Sequence, residues 1–169
     1  MTGLWDADGP FSFSGEHYTL VDSPALPQPV QRPHPPVIVG GGGAKRTPRL
    51  AATYADEFNL PFASLEDTRT QFGRVREAAA ATGRELVLSV AQVLCCGRDD
   101  AEIARRAAAI GRSVDDLRAN GVAGTPAEVV DRLGAFGELG ATRAYLQVLD
   151  LADLDHVELV AAEVLPQLR

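Results

Sequence analysis

The chain has little sulfur. Its only two cysteines are neighbours, Cys95 and Cys96. Adjacent thiols build neither a disulfide framework nor a zinc site, both of which need spaced ligands. The pair lies within an apolar run and reads as two small buried side chains, which suits a reducing cytoplasm, the expected location. Long hydrophobic runs are missing too: no stretch approaches the roughly 20 apolar residues of a membrane-spanning helix. Met1 to Pro10 shows no basic segment followed by an apolar one, so no secretory signal is expected. Positive charge is scarce, with 16 Lys and Arg against 23 Asp and Glu and a net charge of −7. That balance argues against a nucleic-acid partner, which calls for a basic face. No Ser-His-Asp or Cys-His nucleophile arrangement can be assembled from the residues present.

What remains is an ordinary globular composition: 169 residues, 46% hydrophobic and 23% charged, enough for one domain with a real core. Residues 1–36 stand apart, holding seven of the eleven prolines. Phe11–Ser14 and His17–Val21 predict a hairpin turning at Gly15 and Glu16, followed by extended loop through Pro36. Residues 37–169 form the second expected region. There strand and helix signals alternate four times. The predicted strands are Val37–Val39, Glu57–Leu60, Leu86–Leu94 and Arg143–Leu149, short apolar runs of the kind buried in parallel sheets.

Helix signals separate them. Thr47 is expected to cap a helix to Ala55 with Pro48 at its first position, and Ser64 to start one reaching Thr82. Asp99 with Glu102 forms a capping-box pattern, with Ile103, Ala107 and Ile110 on one stripe. A short helix follows over Val114–Ala119. Thr125-Pro126-Ala127-Glu128 opens another, closed at Gly140. Asp155 with Glu158 is expected to cap the last helix, turning Val157, Val160, Ala161 and Val164 inward. Four such βα units predict an α/β fold with a parallel sheet: half of a (β/α)8 TIM-like barrel, whose complete form takes about 250 residues, or a small open doubly wound sheet.

The segment Val37-Ile38-Val39-Gly40-Gly41-Gly42-Gly43-Ala44-Lys45-Arg46-Thr47 carries the most chemistry. Four glycines let a ligand approach the backbone and meet its N–H groups. The helix that follows aims its positive dipole end at the same point. Lys45 and Arg46 at that helix start are unfavourable without a compensating anion, so the segment predicts a phosphate site; the alternative is a plain strand-to-helix turn with solvated cations. It is not a P-loop, because Arg46 separates Lys45 from Thr47. It is not the dinucleotide fingerprint either, whose last glycine would fall on Lys45 or Arg46.

Asn59, near a strand's C-terminal end, lies where barrel enzymes place functional groups, the alternative being a hydrogen bond to its own loop; for Gln92 and Gln147, within apolar strands, a barrel lumen would make them polar pocket groups. His17 with Glu16 reads first as a polar hairpin turn. His34 and His156 read as surface or packing residues.

Several segments together resemble the luciferase-like monooxygenase family, in particular its members that use the deazaflavin coenzyme F-420. They are Gly15-Glu16-His17-Tyr18, the run from Pro29 through Gly41, Lys45-Arg46-Thr47, Ala51 through Asn59, and, more weakly, Gly124-Thr125-Pro126-Ala127-Glu128-Val129-Val130 with Gly140-Ala141. The resemblance implies a modified (β/α)8 barrel whose glycine loop contacts the cofactor phosphate. That carries over here to Gly40, Gly41, Gly42, Gly43, Lys45, Arg46 and Thr47, with Asn59 shaping the cofactor pocket. It implies oxidoreductase or monooxygenase chemistry on a small-molecule substrate with coenzyme F-420, or alternatively FMN. The first four strands of that barrel, which carry the cofactor ring and substrate, have no match in this chain. The expected partner is therefore a complementary N-terminal half or a second copy. The alternative is a non-catalytic remnant or small anion-binding module that self-associates.

Overall fold

The structure is a computed structural model and describes residues 1–168. Its contacts divide the chain into two units, Met1–Val37 and Ile38–Arg169.

The first unit holds a short helix, α1 (Thr2–Asp6), and a two-stranded antiparallel ribbon, β1 (Phe11–Ser14) with β2 (Thr19–Ser23). The Gly15 N–H donates to the Tyr18 carbonyl at 2.9 Å and closes the hairpin, so the second strand begins two residues beyond the expected His17. Three carbonyls, of Leu4, Ala7 and Ala25, converge on the Gln28 carboxamide. They tie the proline-rich segment to α1, a helix too short for periodicity to reveal.

The second unit runs β3 (Ile38–Gly40), α2 (Arg46–Tyr54), β4 (Glu57–Pro61), α3 (Leu65–Thr82), β5 (Val87–Cys96), α4 (Asp100–Ala109), α5 (Val114–Asn120), β6 (Val122–Gly124), α6 (Pro126–Glu138), β7 (Arg143–Gln147) and α7 (Leu154–Glu163), with a 3-10 turn at Leu165–Gln167. All strand pairs in this unit are parallel. β3 pairs with β4, β4 with β5, and β5 with both β7 (over Ser89–Val93) and the three-residue β6 (over Leu94–Cys96). The four strands expected from sequence are thus neighbours in chain order. A doubly wound sheet reverses its strand order at a switch point; here there is no reversal, and the order is that of half a barrel. β6 escaped the sequence reading because it has only three residues, follows Gly121 and ends in Gly124.

One side of each strand faces the helices. Phe58 and Leu60 of β4 and Leu88, Val90, Leu94 and Cys96 of β5 pack there against Phe72 and Val75 of α3, Val129, Leu133 and Phe136 of α6, and Leu159 and Val160 of α7. Phe58 and Phe72 meet edge to face, centroids 6.2 Å apart. Fully burying each large side chain of this layer contributes about 1.5–3 kcal/mol. The other side of the sheet is less covered. Ile38 is 51% and Tyr145 39% exposed, and only near the end of β5 do Val93 and Cys95 find a small cluster with Ile103, Ala107 and Leu117.

The helix starts follow their caps, with two corrections. Ser64, Asp99, Ser113 and Thr125 each accept the N–H three residues on, and Thr125 with Glu128 completes a capping box. α2, however, starts at Arg46 with Lys45 in the cap position and no side-chain cap. Thr47 is already inside the helix. Proline is tolerated anywhere in a first turn that needs no N–H, so Pro48 marked the turn and not its first residue. α7 is capped by Asp153 rather than Asp155, since the Asp153 carboxylate accepts the His156 N–H at 3.0 Å. The helix is thereby rotated: His156, Leu159, Val160 and Val164 turn inward, whereas Val157, 49% exposed, and Ala161 face out.

Candidate functional site

β3 delivers the chain into the glycine loop at the C-terminal end of the sheet. Gly40 lies beside Asn59 in the parallel register, and the Gly41 N–H donates to the Asn59 carbonyl at 3.2 Å. Gly41 has φ +127°, a conformation that a side chain makes costly. From there the backbone leaves the sheet and stays open. Gly42, Gly43, Ala44, Lys45 and Arg46 are exposed and Thr47 is half-buried. Among the described residues no carbonyl or side chain accepts from the N–H groups of Gly42, Gly43, Ala44, Lys45, Arg46 or Thr47. Some of these amides are the orphan donors that every helix start leaves; here the loop adds more.

Thr47, having given up the cap position, turns its hydroxyl to the loop. A Cβ built on Gly43 would lie 2.7 Å from Thr47 Oγ1, and one on Gly41 3.7 Å from it. The absence of a side chain at Gly43 is therefore what leaves room beside that hydroxyl. Lys45, the only lysine of the chain, and Arg46 stand at the same helix start, and no acidic residue occupies the first turn of α2. Free amides, a hydroxyl, two cations and a positive dipole end belong to one short loop and helix start, a donor set suited to a phosphate. The loop behind them is held by α3: Gln71 Nε2 donates to the Gly43 carbonyl at 2.9 Å.

Asn59 takes part in two ways. Its carbonyl anchors Gly41, while its side chain donates to Ser89 Oγ at 2.9 Å on the neighbouring strand. Ser89 Oγ donates in turn to Glu57 Oε1 at 2.5 Å, Tyr145 donates its hydroxyl to the same oxygen at 2.9 Å, and Arg143 pairs with Glu57 Oε2. Glu57 is 3% exposed, so this carboxylate is buried and fully partnered. The sequence reading missed the network. The available signal was polar residues at alternate strand positions, Glu57 and Asn59 in β4 and Arg143, Tyr145 and Gln147 in β7, which fall on one face of a sheet.

Gln147 lines a cavity of about 410 Å³ together with Phe62, Val93, Arg112, Asp116, Asn120 and Leu149, beyond the ends of β4 and β7. Gln92 belongs elsewhere. It is fully buried and bonds the Ala63 carbonyl at 2.7 Å, and the alternation of β5 puts it on the helix side with Val90 and Leu94, not in a lumen.

A second charged cluster surrounds the end of β5. The Arg106 guanidinium, 3% exposed, donates to Asp153 Oδ2 at 2.8 Å and to the Cys96 carbonyl at 2.7 Å, and pairs with Glu102 at 3.0 Å. Hydrogen bonding from Arg106 holds the Asp153 carboxyl down at about 2. His156 Nε2 accepts the Cys96 N–H at 2.9 Å. Burial, reinforced by the Arg106 charge, pushes the His156 pKa down and keeps the ring neutral. Burial also pushes the Cys96 thiol up to about 11, leaving no thiolate for nucleophilic chemistry. Here the Arg106 guanidinium is matched on all sides by protein acceptors, so the cluster ties α4 and α7 to the sheet. In the first unit, Glu16 and His17 form an exposed pair 3.9 Å apart, and His34 stacks on Trp5.

Among the described residues no helix is long and apolar enough to cross a membrane. Compared with known proteins, the chain is 32% identical over 105 residues to an FMNH2-dependent dimethylsulfone monooxygenase of Pseudomonas putida, a match covering 62% of this chain and 28% of that protein. Its fold matches a coenzyme F-420-dependent tetrahydromethanopterin reductase from Methanopyrus kandleri with a TM-score of 0.80 and 16% identity, covering 99% of this chain and 60% of that one. It also matches an F-420-dependent secondary alcohol dehydrogenase (TM-score 0.79, 18% identity, 98% and 58% covered). A third match is the FMN-bound oxygenating constituent of 3,6-diketocamphane monooxygenase from Pseudomonas putida (TM-score 0.73, 17% identity, 99% and 61% covered). The chain thus spans about 60% of these solved structures and a smaller share of the curated relative. The model of the luciferase-like monooxygenases matches residues 1–115, more than half of the sequence, and the chain belongs to that family.

Proposed function

We propose that this chain binds the phosphate of FMN or coenzyme F-420 in its glycine loop and forms that part of an oxidoreductase or monooxygenase site. The observation that carries the reading is the set of uncommitted amides from Gly42 to Thr47 on an exposed loop, beside a Thr47 hydroxyl that a side chain at Gly43 would crowd. Gly40 and Gly41 set the turn, Lys45 and Arg46 neutralise the anion, Thr47 donates its hydroxyl, and Asn59 fixes the loop to β4. When bound, the cofactor supplies hydride transfer or, as reduced FMN, oxygen activation. The names of the similar proteins, two with F-420 and two with FMN, support this pair of cofactors. Two buried free cysteines suit the reducing cytoplasm as its place of action.

The partner we propose is a set of four further βα units, on the same polypeptide or another, that covers the open side of the sheet around Ile38, Val87 and Tyr145 and carries the cofactor ring and the small-molecule substrate. The exposed apolar residues of that side and the two sheet edges support it. They equally favour a second reading, an anion-binding module that pairs with its own copy. Light scattering on the purified chain separates the two, a stable dimer supporting the second. Titration with FMN and with coenzyme F-420, followed by fluorescence, tests the site itself. Binding that Gly41→Val abolishes is the expected result, and unchanged binding in that variant overturns the assignment.

A further inference from the structure

Resting on the phosphate reading above, we infer that Gln71 is a positioning residue for the site: by holding the Gly43 carbonyl, it fixes which way the Ala44 N–H points. Gln71 sits on α3, away from the loop in sequence, and is 3% exposed. Its carboxamide spends both ends. Nε2 donates to the Gly43 carbonyl at 2.9 Å, and Oε1 accepts from Arg74 Nη1 at 3.2 Å. The arginine can only donate, so it fixes which end of the amide faces the loop.

A trans peptide is planar, with its C=O and N–H pointing in opposite directions. Drawing the Gly43 carbonyl toward α3 therefore turns the Ala44 N–H away from α3, toward the exposed side of the loop. The constraint matters because of where it acts. Four consecutive glycines give this segment more backbone freedom than any other in the chain. A flip of the Gly43–Ala44 peptide would replace a donor by a carbonyl oxygen, and a carbonyl repels an anion. Lys45 and Arg46 cannot correct such a flip, since their flexible side chains supply charge without setting the backbone. A buried side chain at its far end anchors the loop, and bare glycines at its near end admit the ligand.

The test compares three variants for binding of inorganic phosphate and of FMN by calorimetry, alongside the order of the Ala44 amide in the free protein by 15N relaxation. Gln71→Met keeps the volume without the donor. Gln71→Glu keeps the Arg74 contact but sets an acceptor against the Gly43 carbonyl. Gln71→His restores an N–H at a similar reach. Met and Glu are expected to weaken both probes at least tenfold and to loosen the Ala44 amide, with His recovering most of the affinity. Wild-type affinity in both the Met and Glu variants overturns the role of Gln71 while leaving the phosphate site standing. A wild-type protein that binds neither probe overturns the phosphate reading and this role together.

Discussion

The glycine loop and the Arg106 cluster sit at the ends of β3 and β5, two strands of one sheet separated by β4, and both gather positive charge beside a helix. They differ in what is left over. Around Arg106 the guanidinium, the Asp153 carboxylate, the Cys96 carbonyl and N–H, and the His156 Nε2 satisfy one another inside the protein. In the loop the amides from Gly42 to Thr47 have no protein acceptor among the described residues, and the cations beside them are solvent-exposed. A satisfied network holds structure; uncommitted donors on an exposed glycine loop are what the proposed phosphate would use. Charge and burial alone would have ranked these two regions the wrong way round.

The largest effect that would break this contrast lies in the complete network. Arg106→Leu strands a buried Asp153 carboxylate, and urea denaturation is expected to show a loss of about 3–5 kcal/mol. Phosphate affinity should be unchanged wherever the variant is folded; a loss below about 1 kcal/mol would mean the cluster is not the knot described. Gly43→Ala makes the opposite division. Its backbone conformation tolerates a side chain and its Cβ displaces the Thr47 hydroxyl, so FMN affinity should fall at least tenfold while thermal unfolding barely moves. Thr47→Val is milder, removing one donor worth about 0.5–1.5 kcal/mol, a loss of roughly two- to tenfold in the same titration.

The pH dependence of stability is the finest distinction. The His156 pKa is lowered on folding, so the native state binds fewer protons than the unfolded chain as the pH drops below 6.5, and stability falls there. Asp153, ordinary at 3.8 and held at about 2 in the fold, adds a further loss between those values. Both contributions are fully present at neutral pH and have the same sign. Chemical denaturation across pH 7 to 5 should show the first, and His156→Gln should flatten it; an unchanged slope in that variant would assign the pH dependence to other groups.

Much of this architecture could be read from residues in order. The strands at Val37–Val39 and Glu57–Leu60 and the caps at Ser64, Asp99 and Thr125 depend on local chemistry, and the structure places them within a residue or two. The open glycine loop between β3 and α2 was legible for the same reason, since four glycines before a helix are a local feature. What could not be read was long-range. Glu57 meets Arg143 and Tyr145 across 86 and 88 positions of sequence, and Arg106 meets Asp153 across 47. No periodicity encodes such pairs, and the Asp155–Glu158 spacing, itself a valid capping pattern, competes with the true cap at Asp153. Gln92 misled because alternation gives two faces without saying which one holds the helices. Gln71 was invisible, since only the fold brings it to Gly43.

Lys45, as the chain's only lysine, offers the most direct test of the central claim. Its rate of acylation by an amine-reactive reagent, followed by mass spectrometry, can be compared in the presence of FMN, riboflavin, inorganic phosphate and coenzyme F-420. A phosphate grip at the glycine loop requires that FMN or F-420 protect Lys45, that inorganic phosphate do so at higher concentration, and that riboflavin, the same ring without a phosphate, leave it reactive. Equal protection by riboflavin and FMN, or no protection by any phosphorylated ligand, would contradict it.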